Sequence, residues 1–147
     1  MSLKIKFFIL TFFCFSQVFS NNTCKKCDLE KVKIASEHLD SLTFQIVKDF
    51  LCTFDSSCKQ NVEYSEWSNE ILFRVIEKSP SLFLKAAETS SINKNEIIAQ
   101  VKSPILDFDI QKIYDKLKLV SAPKNLKTEY LQALVKAAQH SGQRISE

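Results

Sequence analysis

Two pairs of cysteines bracket the segment that most constrains how this chain can fold. Cys24 and Cys27 form a CKKC motif before the segment, and Cys52 and Cys58 follow it. Within it, seven apolar side chains recur in steps of three and four, which is the period of a helix and not that of a strand. They are Leu29, Val32, Ala35, Leu39, Leu42, Ile46 and Phe50. The pattern predicts a long first helix flanked by cysteine pairs.

A continuous helix would decide which cysteines can pair. From Cys27 to Cys52 it would be roughly 37 Å long at about 1.5 Å per residue, whereas a disulfide needs Cα atoms within about 7 Å of each other. We therefore expect the bonds Cys24–Cys27 and Cys52–Cys58. Helix propensity is poor at residues 40–43, and a break near Ser41 would instead form a hairpin that brings the two cysteine pairs together.

Residues 1–20 are typical of a secretory signal peptide. Lys4 and Lys6 supply the charged start, residues 7–15 are a short apolar run, and Ser20 is a small residue at the expected cleavage point. We expect cleavage near Ser20 and export to the periplasm or the extracellular space; retention of the leader as an anchor is the alternative. Export would place the remaining four cysteines in an oxidising compartment, where structural disulfides form.

Residues 21–147 are predicted to form a single helical domain of all-α class, an irregular bundle of about six helices. The chain has one Gly and three Pro and no dense alternation of β-branched residues, which argues against sheets. Capping residues and prolines place the starts of the five later helices near Ser65, Pro80, Asn93, Asp107 or Asp109, and Asn125. Gly142 suits the end of the last helix.

Charge and motifs argue against several classes of function. Removal of Lys4 and Lys6 would lower the formal net charge from +3 to +1, and Arg74 and Arg144 are the only arginines. We therefore expect no nucleic-acid partner. The sequence contains no phosphate-binding loop, catalytic triad or complete calcium loop. We expect no enzyme activity, no cofactor and no metal site.

A row of carboxylates marks the helix near Ser65. Glu63, Glu66 and Glu70 lie three and four residues apart and so share one face, which we interpret as solvated. A general acid among them would have to be buried for its pKa to shift. Tyr64 and Trp67 are expected in the core or in helix contacts, whereas an exposed tryptophan would mark a binding patch.

The CKKC motif has an interpretation other than a structural disulfide. A thiol at a helix N-terminus beside Lys25 and Lys26 would have a lowered pKa, because both surroundings favour the thiolate. A CxxC thiol–disulfide factor is therefore one alternative function. A metal ion shared by all four thiolates is disfavoured, because a continuous first helix would hold the two cysteine pairs apart.

The order of these motifs resembles that of the saposin-like family, in which a CxxC, a helical stretch, two further cysteines, another helix and a last cysteine pair near a Pro follow one another. Residues 24–87 match this order, with Phe83 and its neighbours after Pro80 standing where the last cysteine pair would be. The resemblance implies binding of lipid or of a membrane surface, which is a further alternative.

Our leading hypothesis is a non-enzymatic, exported helical protein that binds a protein partner through its surface. The nearly neutral charge of residues 21–147, the helical pattern and the paired cysteines all favour it. No motif identifies the partner.

Overall fold

The structure of the chain, a computed structural model, describes residues 24–146, and its regular secondary structure is helical. Seven α-helices and one short 3-10 helix occur in this range, and no β-strand is found within it. The α-helices are α1 (Leu29–Glu37), α2 (Phe44–Cys52), α3 (Val62–Lys78), α4 (Pro80–Ala87), α5 (Lys94–Lys102), α6 (Ile110–Lys118) and α7 (Lys124–His140). The 3-10 helix, Ser56–Gln60, lies between α2 and α3. The all-α class is confirmed, whereas the predicted signal peptide, residues 1–20, lies outside the described residues.

The predicted long first helix is wrong, because the chain breaks it into α1 and α2. Thr43 begins α2 as its N-cap, with its Oγ1 accepting a hydrogen bond from the Ile46 N–H at 3.3 Å. In the turn between the two helices, Asp40 accepts from Lys78 Nζ at 2.6 Å, and this hydrogen bond lowers the pKa of Asp40. The break therefore falls where helix propensity is poor, and the turn is tied to the end of α3.

Local capping signals place most of the later helices. Asn93 and Asp109 cap α5 and α6 by accepting from the backbone N–H three residues on. Gly142 has a φ of +70° and follows α7, where the backbone closes with the paired hydrogen bonds of a Schellman turn. Two starts differ from expectation: α3 begins at Val62 and not near Ser65, and α7 begins at Lys124 after Pro123 rather than at an Asn125 cap.

Helix α3 is the element around which the others gather. It contacts α1, α4, α5 and α6, while α2 packs on α1 and α4, and α7 packs on α5 and α6. Its buried face carries Ile71, Leu72, Phe73, Val75 and Ile76. Because four helices pack on α3, its backbone is held in place, and the residues on its remaining face are presented from a fixed helix.

Two buried tyrosines differ in whether their hydroxyl groups are paired. The Tyr64 hydroxyl lies 2.7 Å from Thr53 Oγ1, which in turn donates to Phe50 O. Burial raises the pKa of Tyr64 to about 12, so the phenol keeps its proton at neutral pH and donates to Thr53. The Tyr130 ring packs edge-to-face on Phe83 with 4.8 Å between centroids, and its buried hydroxyl has no hydrogen-bond partner within residues 24–146.

Replacing each of these tyrosines by phenylalanine should shift stability in opposite directions. Tyr130→Phe removes a hydroxyl that is buried without a partner, so we expect the free energy of unfolding to rise by about 1 kcal/mol. Tyr64→Phe deprives Thr53 of its donor, and the free energy of unfolding should fall by about 1–2 kcal/mol. Urea denaturation followed by circular dichroism measures both. A loss of stability in Tyr130→Phe would contradict the assignment of an unpaired hydroxyl.

Candidate functional site

The predicted disulfide pairing is wrong, because each cysteine of the first pair is bonded to one of the second. Cys24 is joined to Cys52 and Cys27 to Cys58, with Cα atoms 5.5 Å apart in each bond. The expected Cys24–Cys27 and Cys52–Cys58 bonds depended on a continuous helix. The turn at residues 38–43 instead returns the end of α2 to the start of α1, as the hairpin alternative requires. Two disulfides are typical of a protein from an oxidising compartment.

Hydrogen bonds connect the Cys27–Cys58 disulfide to the end of α2 and to α3. Cys27 has a φ of +55°, a left-handed conformation that is uncommon outside glycine, and its N–H donates to Thr53 O at 2.9 Å. Its partner Cys58 is only 4 % exposed. The Cys58 carbonyl accepts from Ser65 Oγ at 3.1 Å, which ties the 3-10 helix to the first turns of α3. The Cys27–Cys58 bond therefore helps to fix where α3 begins.

Two other possibilities that the sequence raised concern a metal ion and a membrane. Among residues 24–146, no group of three or more His, Cys, Asp and Glu side chains is placed to hold a metal ion. No helix in the same range is long and apolar enough to cross a membrane.

A surface groove with acidic and apolar walls lies along the first half of α3. We call it the acidic groove; its volume is about 360 Å³ and it is lined by Glu63, Glu66, Trp67, Glu70, Ile105 and Leu106. The four α3 residues are spaced three and four apart, so they form one continuous wall. The opposite wall is the segment between α5 and α6, where Ile105 and Leu106 are 50 % and 45 % exposed. The half-buried Trp67 lies between acidic and apolar neighbours.

Asn69 fixes the second wall of the acidic groove against α3. It is fully buried, and its amide nitrogen donates to Gln100 O and Ser103 O at 3.2 and 3.3 Å. Its amide oxygen accepts from the Ile105 N–H at 3.0 Å. One side chain thus satisfies backbone groups on both sides of Pro104. Sequence reasoning missed Asn69; a polar residue beside the apolar stripe of α3 was the only signal.

Two further contacts hold the other end of the same segment. The Phe108 ring stacks on Phe73 of α3, with 4.8 Å between centroids and 12° between planes. Gln143, beyond the end of α7, donates from its side chain to Phe108 O at 2.9 Å and accepts from the Ile110 N–H. With Asn69 at one end and Phe108 at the other, Ile105 and Leu106 are exposed on a segment with a defined position.

The charge of the acidic groove is concentrated at its N-terminal end. Glu70 is neutralised by Arg74, whose guanidinium lies 2.7 Å away. Glu63 and Glu66 form no ion pair with any residue in the described part of the chain. The prediction of a solvated carboxylate face therefore agrees with the positions of Glu63 and Glu66, and Tyr64 lies in the core as expected.

A second surface groove, of opposite charge, lies between α5 and α7. We call it the lysine-edged groove; its volume is about 540 Å³ and it is lined by Asn95, Ile98, Lys102, Glu129, Gln132, Val135 and Lys136. Ile98 and Val135 are half-buried and pack on the core. Glu129 is paired with Lys94 at 3.0 Å, whereas Lys102 and Lys136 have no carboxylate partner among residues 24–146. The groove therefore combines an apolar floor with two free cations.

Comparisons with protein-family models, curated proteins and solved structures find no match to this chain. The saposin-like resemblance thus depends on the order of the cysteines alone, and the disulfide pairing in the structure differs from that of the family. In the family the first cysteine pair takes its partners from the last pair. Here Cys24 and Cys27 are bonded to Cys52 and Cys58, and Phe83 is a core residue on α4.

Removing the Asn69 side chain should loosen the wall that carries Ile105 and Leu106. Asn69→Ala leaves the Ile105 N–H and the Ser103 carbonyl without a partner, whereas Gln100 O still accepts from the Ser103 N–H. We expect the free energy of unfolding to fall by about 2 kcal/mol. Hydrogen exchange should show faster exchange of the Ile105 amide. Ser68→Ala, at the equally buried neighbouring position, is the control and should leave that amide unchanged. Equal exchange of the Ile105 amide in both variants would contradict the positioning role of Asn69.

Proposed function

We propose that this protein is a non-enzymatic helical binding protein and that its acidic groove binds a cationic, partly apolar segment of a protein partner. The observation that carries the proposal is the juxtaposition of Glu63 and Glu66 with Trp67, Ile105 and Leu106. We further propose that the leader, residues 1–20, is removed near Ser20 on export to the periplasm or the extracellular space. The two disulfides support an oxidising compartment.

Exposed apolar surface supports this function. Ile105 and Leu106 are neighbours in sequence, both are about half exposed, and Trp67 lies in the same groove. Large apolar side chains that cluster on a surface and are rimmed by polar residues are typical of interaction sites. Tryptophan also contributes more than its share of binding energy at such sites.

The charge of the groove determines which partner it favours. Glu63 and Glu66 are not neutralised by a neighbouring cation among the described residues, so lysine or arginine on a partner would pair with them. The apolar wall would contact aliphatic side chains on another face of the same partner segment. An amphipathic segment with both cationic and aliphatic side chains has this chemistry. Because Asn69 and Phe108 already hold the apolar wall, binding would require little ordering of it.

An amphipathic peptide of leucine and lysine should therefore bind in the acidic groove. Trp67 is the only tryptophan of the chain, so its fluorescence reports directly on this groove. We expect the emission to shift on titration with the peptide, and the affinity to fall by about tenfold in the double variant Glu63→Lys, Glu66→Lys. The affinity should also fall with rising salt, since the carboxylates are exposed.

Matched controls separate the groove from general electrostatic attraction. Glu37→Lys, Glu88→Lys changes the net charge by the same amount at two exposed positions outside the groove and should leave the affinity unchanged. Leu119→Ser removes an apolar side chain that is 86 % exposed elsewhere and should also have no effect. Equal binding of a peptide with glutamate in place of lysine would refute the proposed charge selectivity.

A second candidate function is binding of an anionic amphiphile in the lysine-edged groove. Ile98 and Val135 offer an apolar floor for an alkyl chain, and Lys102 and Lys136 lie at its edges to pair with a carboxylate. The volume of about 540 Å³ is in the range of small-molecule sites. The proposal of lipid binding therefore depends on the lysine-edged groove and does not depend on the order of the cysteines.

Dodecanoate should bind in this groove more tightly than a cationic amphiphile of the same chain length. We expect Lys102→Glu, Lys136→Glu to weaken dodecanoate by about tenfold in calorimetric titrations below micelle formation. The control Lys33→Glu, Lys124→Glu carries the same charge change on exposed positions outside the groove and should bind as the unmodified chain does. If both double variants lose affinity equally, the lysine-edged groove is not the site.

A further inference from the structure

The two disulfides have different surroundings, although both join the start of α1 to the region after α2. Cys58 is 4 % exposed and belongs to the hydrophobic core, and Cys27 packs against that core. Cys24, Cys27 and Cys52 are all half-buried, but only Cys24 and Cys52 border a small surface recess of about 50 Å³. A thiol arriving from solvent therefore meets two partly exposed cysteines beside a recess at Cys24–Cys52, but only one partly exposed cysteine at Cys27–Cys58.

The charges around the accessible bond are unequally distributed. Two of the three nearby lysines have carboxylate partners: Lys25 lies 3.9 Å from Asp28, and Lys31 lies 3.2 Å from Asp49. Lys26 has no carboxylate partner among residues 24–146. Its ammonium lies 3.9 Å from Cys24 Sγ and donates to Cys52 O at 3.2 Å. An ammonium group without a carboxylate partner is thus held beside one sulfur of the Cys24–Cys52 disulfide.

We propose that Cys24–Cys52 is a thiol-exchange site that takes a low-molecular-weight monothiol, while Cys27–Cys58 is a structural bond that the exchange leaves intact. This inference goes beyond the two grooves and does not depend on either of them. It also differs from a CxxC redox site, because the exchanging partners are Cys24 and Cys52 and not the two cysteines of the CKKC motif.

The exchange has a defined direction. The thiolate of the incoming monothiol attacks Cys52 Sγ and forms a mixed disulfide there; the Cys24–Cys52 bond breaks, and its electron pair leaves on Cys24 Sγ. The new Cys24 thiolate lies beside the Lys26 ammonium, and a disulfide is cleaved faster when the leaving sulfur is the more stable thiolate. The thiolate of a second monothiol then attacks the sulfur that the first monothiol contributed to the mixed disulfide; the bond to Cys52 Sγ breaks, and Cys52 leaves as a thiolate that takes up a proton. Two monothiols are oxidised to one disulfide, and Cys24–Cys52 is reduced to two thiols.

The fold retains its hairpin closure during this exchange. Cys27–Cys58 still joins the start of α1 to the 3-10 helix, and the Cys27 N–H still donates to Thr53 O. The Cys58 carbonyl keeps its hydrogen bond from Ser65 on α3. Reduction of Cys24–Cys52 therefore releases Cys24 from the end of α2 and leaves the closure at Cys27 in place.

Incubation of the oxidised protein with glutathione, followed by acid quenching, alkylation and peptide mapping, tests the inference. We expect alkylation at Cys24 and glutathione at Cys52, both appearing at least about tenfold faster than any modification of Cys27 or Cys58. Circular dichroism should show the helices retained at that stage. Equal rates at the two disulfides, faster opening of Cys27–Cys58, or glutathione attached mainly at Cys24 would each overturn the proposal.

A charge reversal tests the role assigned to Lys26. Lys26→Glu should slow the opening of Cys24–Cys52 by about three- to tenfold, because the leaving thiolate would face a carboxylate. Lys59→Glu places the same charge change next to Cys58 and should leave the rate at which Cys24–Cys52 opens unchanged. The salt dependence of the rate provides a test that needs no variant. Rising salt should slow the exchange in the unmodified chain, because salt screens the charge of Lys26. Equal rates in both variants would remove Lys26 from the mechanism.

Discussion

The crossed disulfides that close the α1–α2 hairpin are the constraint on which the rest of the structure depends. Both bonds join positions that would be far apart on a straight helix, so the turn at residues 38–43 and the crosslinks require each other. Each bond spans about thirty residues, with sequence separations of 28 and 31, and crosslinks of this span are worth about 3–4 kcal/mol each when considered alone. Their loops overlap, so the two contributions are not additive.

The closed hairpin also fixes the position of the helix that carries the acidic groove. Cys58 is held to Cys27, and the Cys58 carbonyl accepts from Ser65, so the 3-10 helix and the first turns of α3 are fixed together. The same turns of α3 carry Glu63, Glu66 and Trp67. A groove built on a helix that is crosslinked near its start and packed by four other helices can present charge and aromatic surface without first becoming ordered.

Local signals were readable from the sequence, and signals that depend on distant partners were not. Asn93, Asp109 and Gly142 act within three or four residues, so their roles at helix ends could be predicted. The break in the first helix was harder, because Leu39 and Leu42 keep the helical period through the turn and still pack on the core. Asn69 had only the weak local signal of a polar residue beside an apolar stripe, because its partners lie 31–36 residues further along the chain. The predicted pairing of the cysteines was wrong because it was derived from the predicted continuous helix.

The nearly neutral net charge of residues 21–147 conceals two surfaces of opposite sign. The carboxylates of Glu63 and Glu66 line one groove, and the ammonium groups of Lys102 and Lys136 line the other. At physiological ionic strength exposed charges act over about 8 Å, so a bound segment responds to the groove that it occupies and not to the sum over the chain. The charge balance that argues against a nucleic-acid partner is therefore compatible with strong charge selection within a single groove. Selectivity of this kind depends on where the fold places a few unpaired charged side chains. Those positions cannot be predicted from the composition alone.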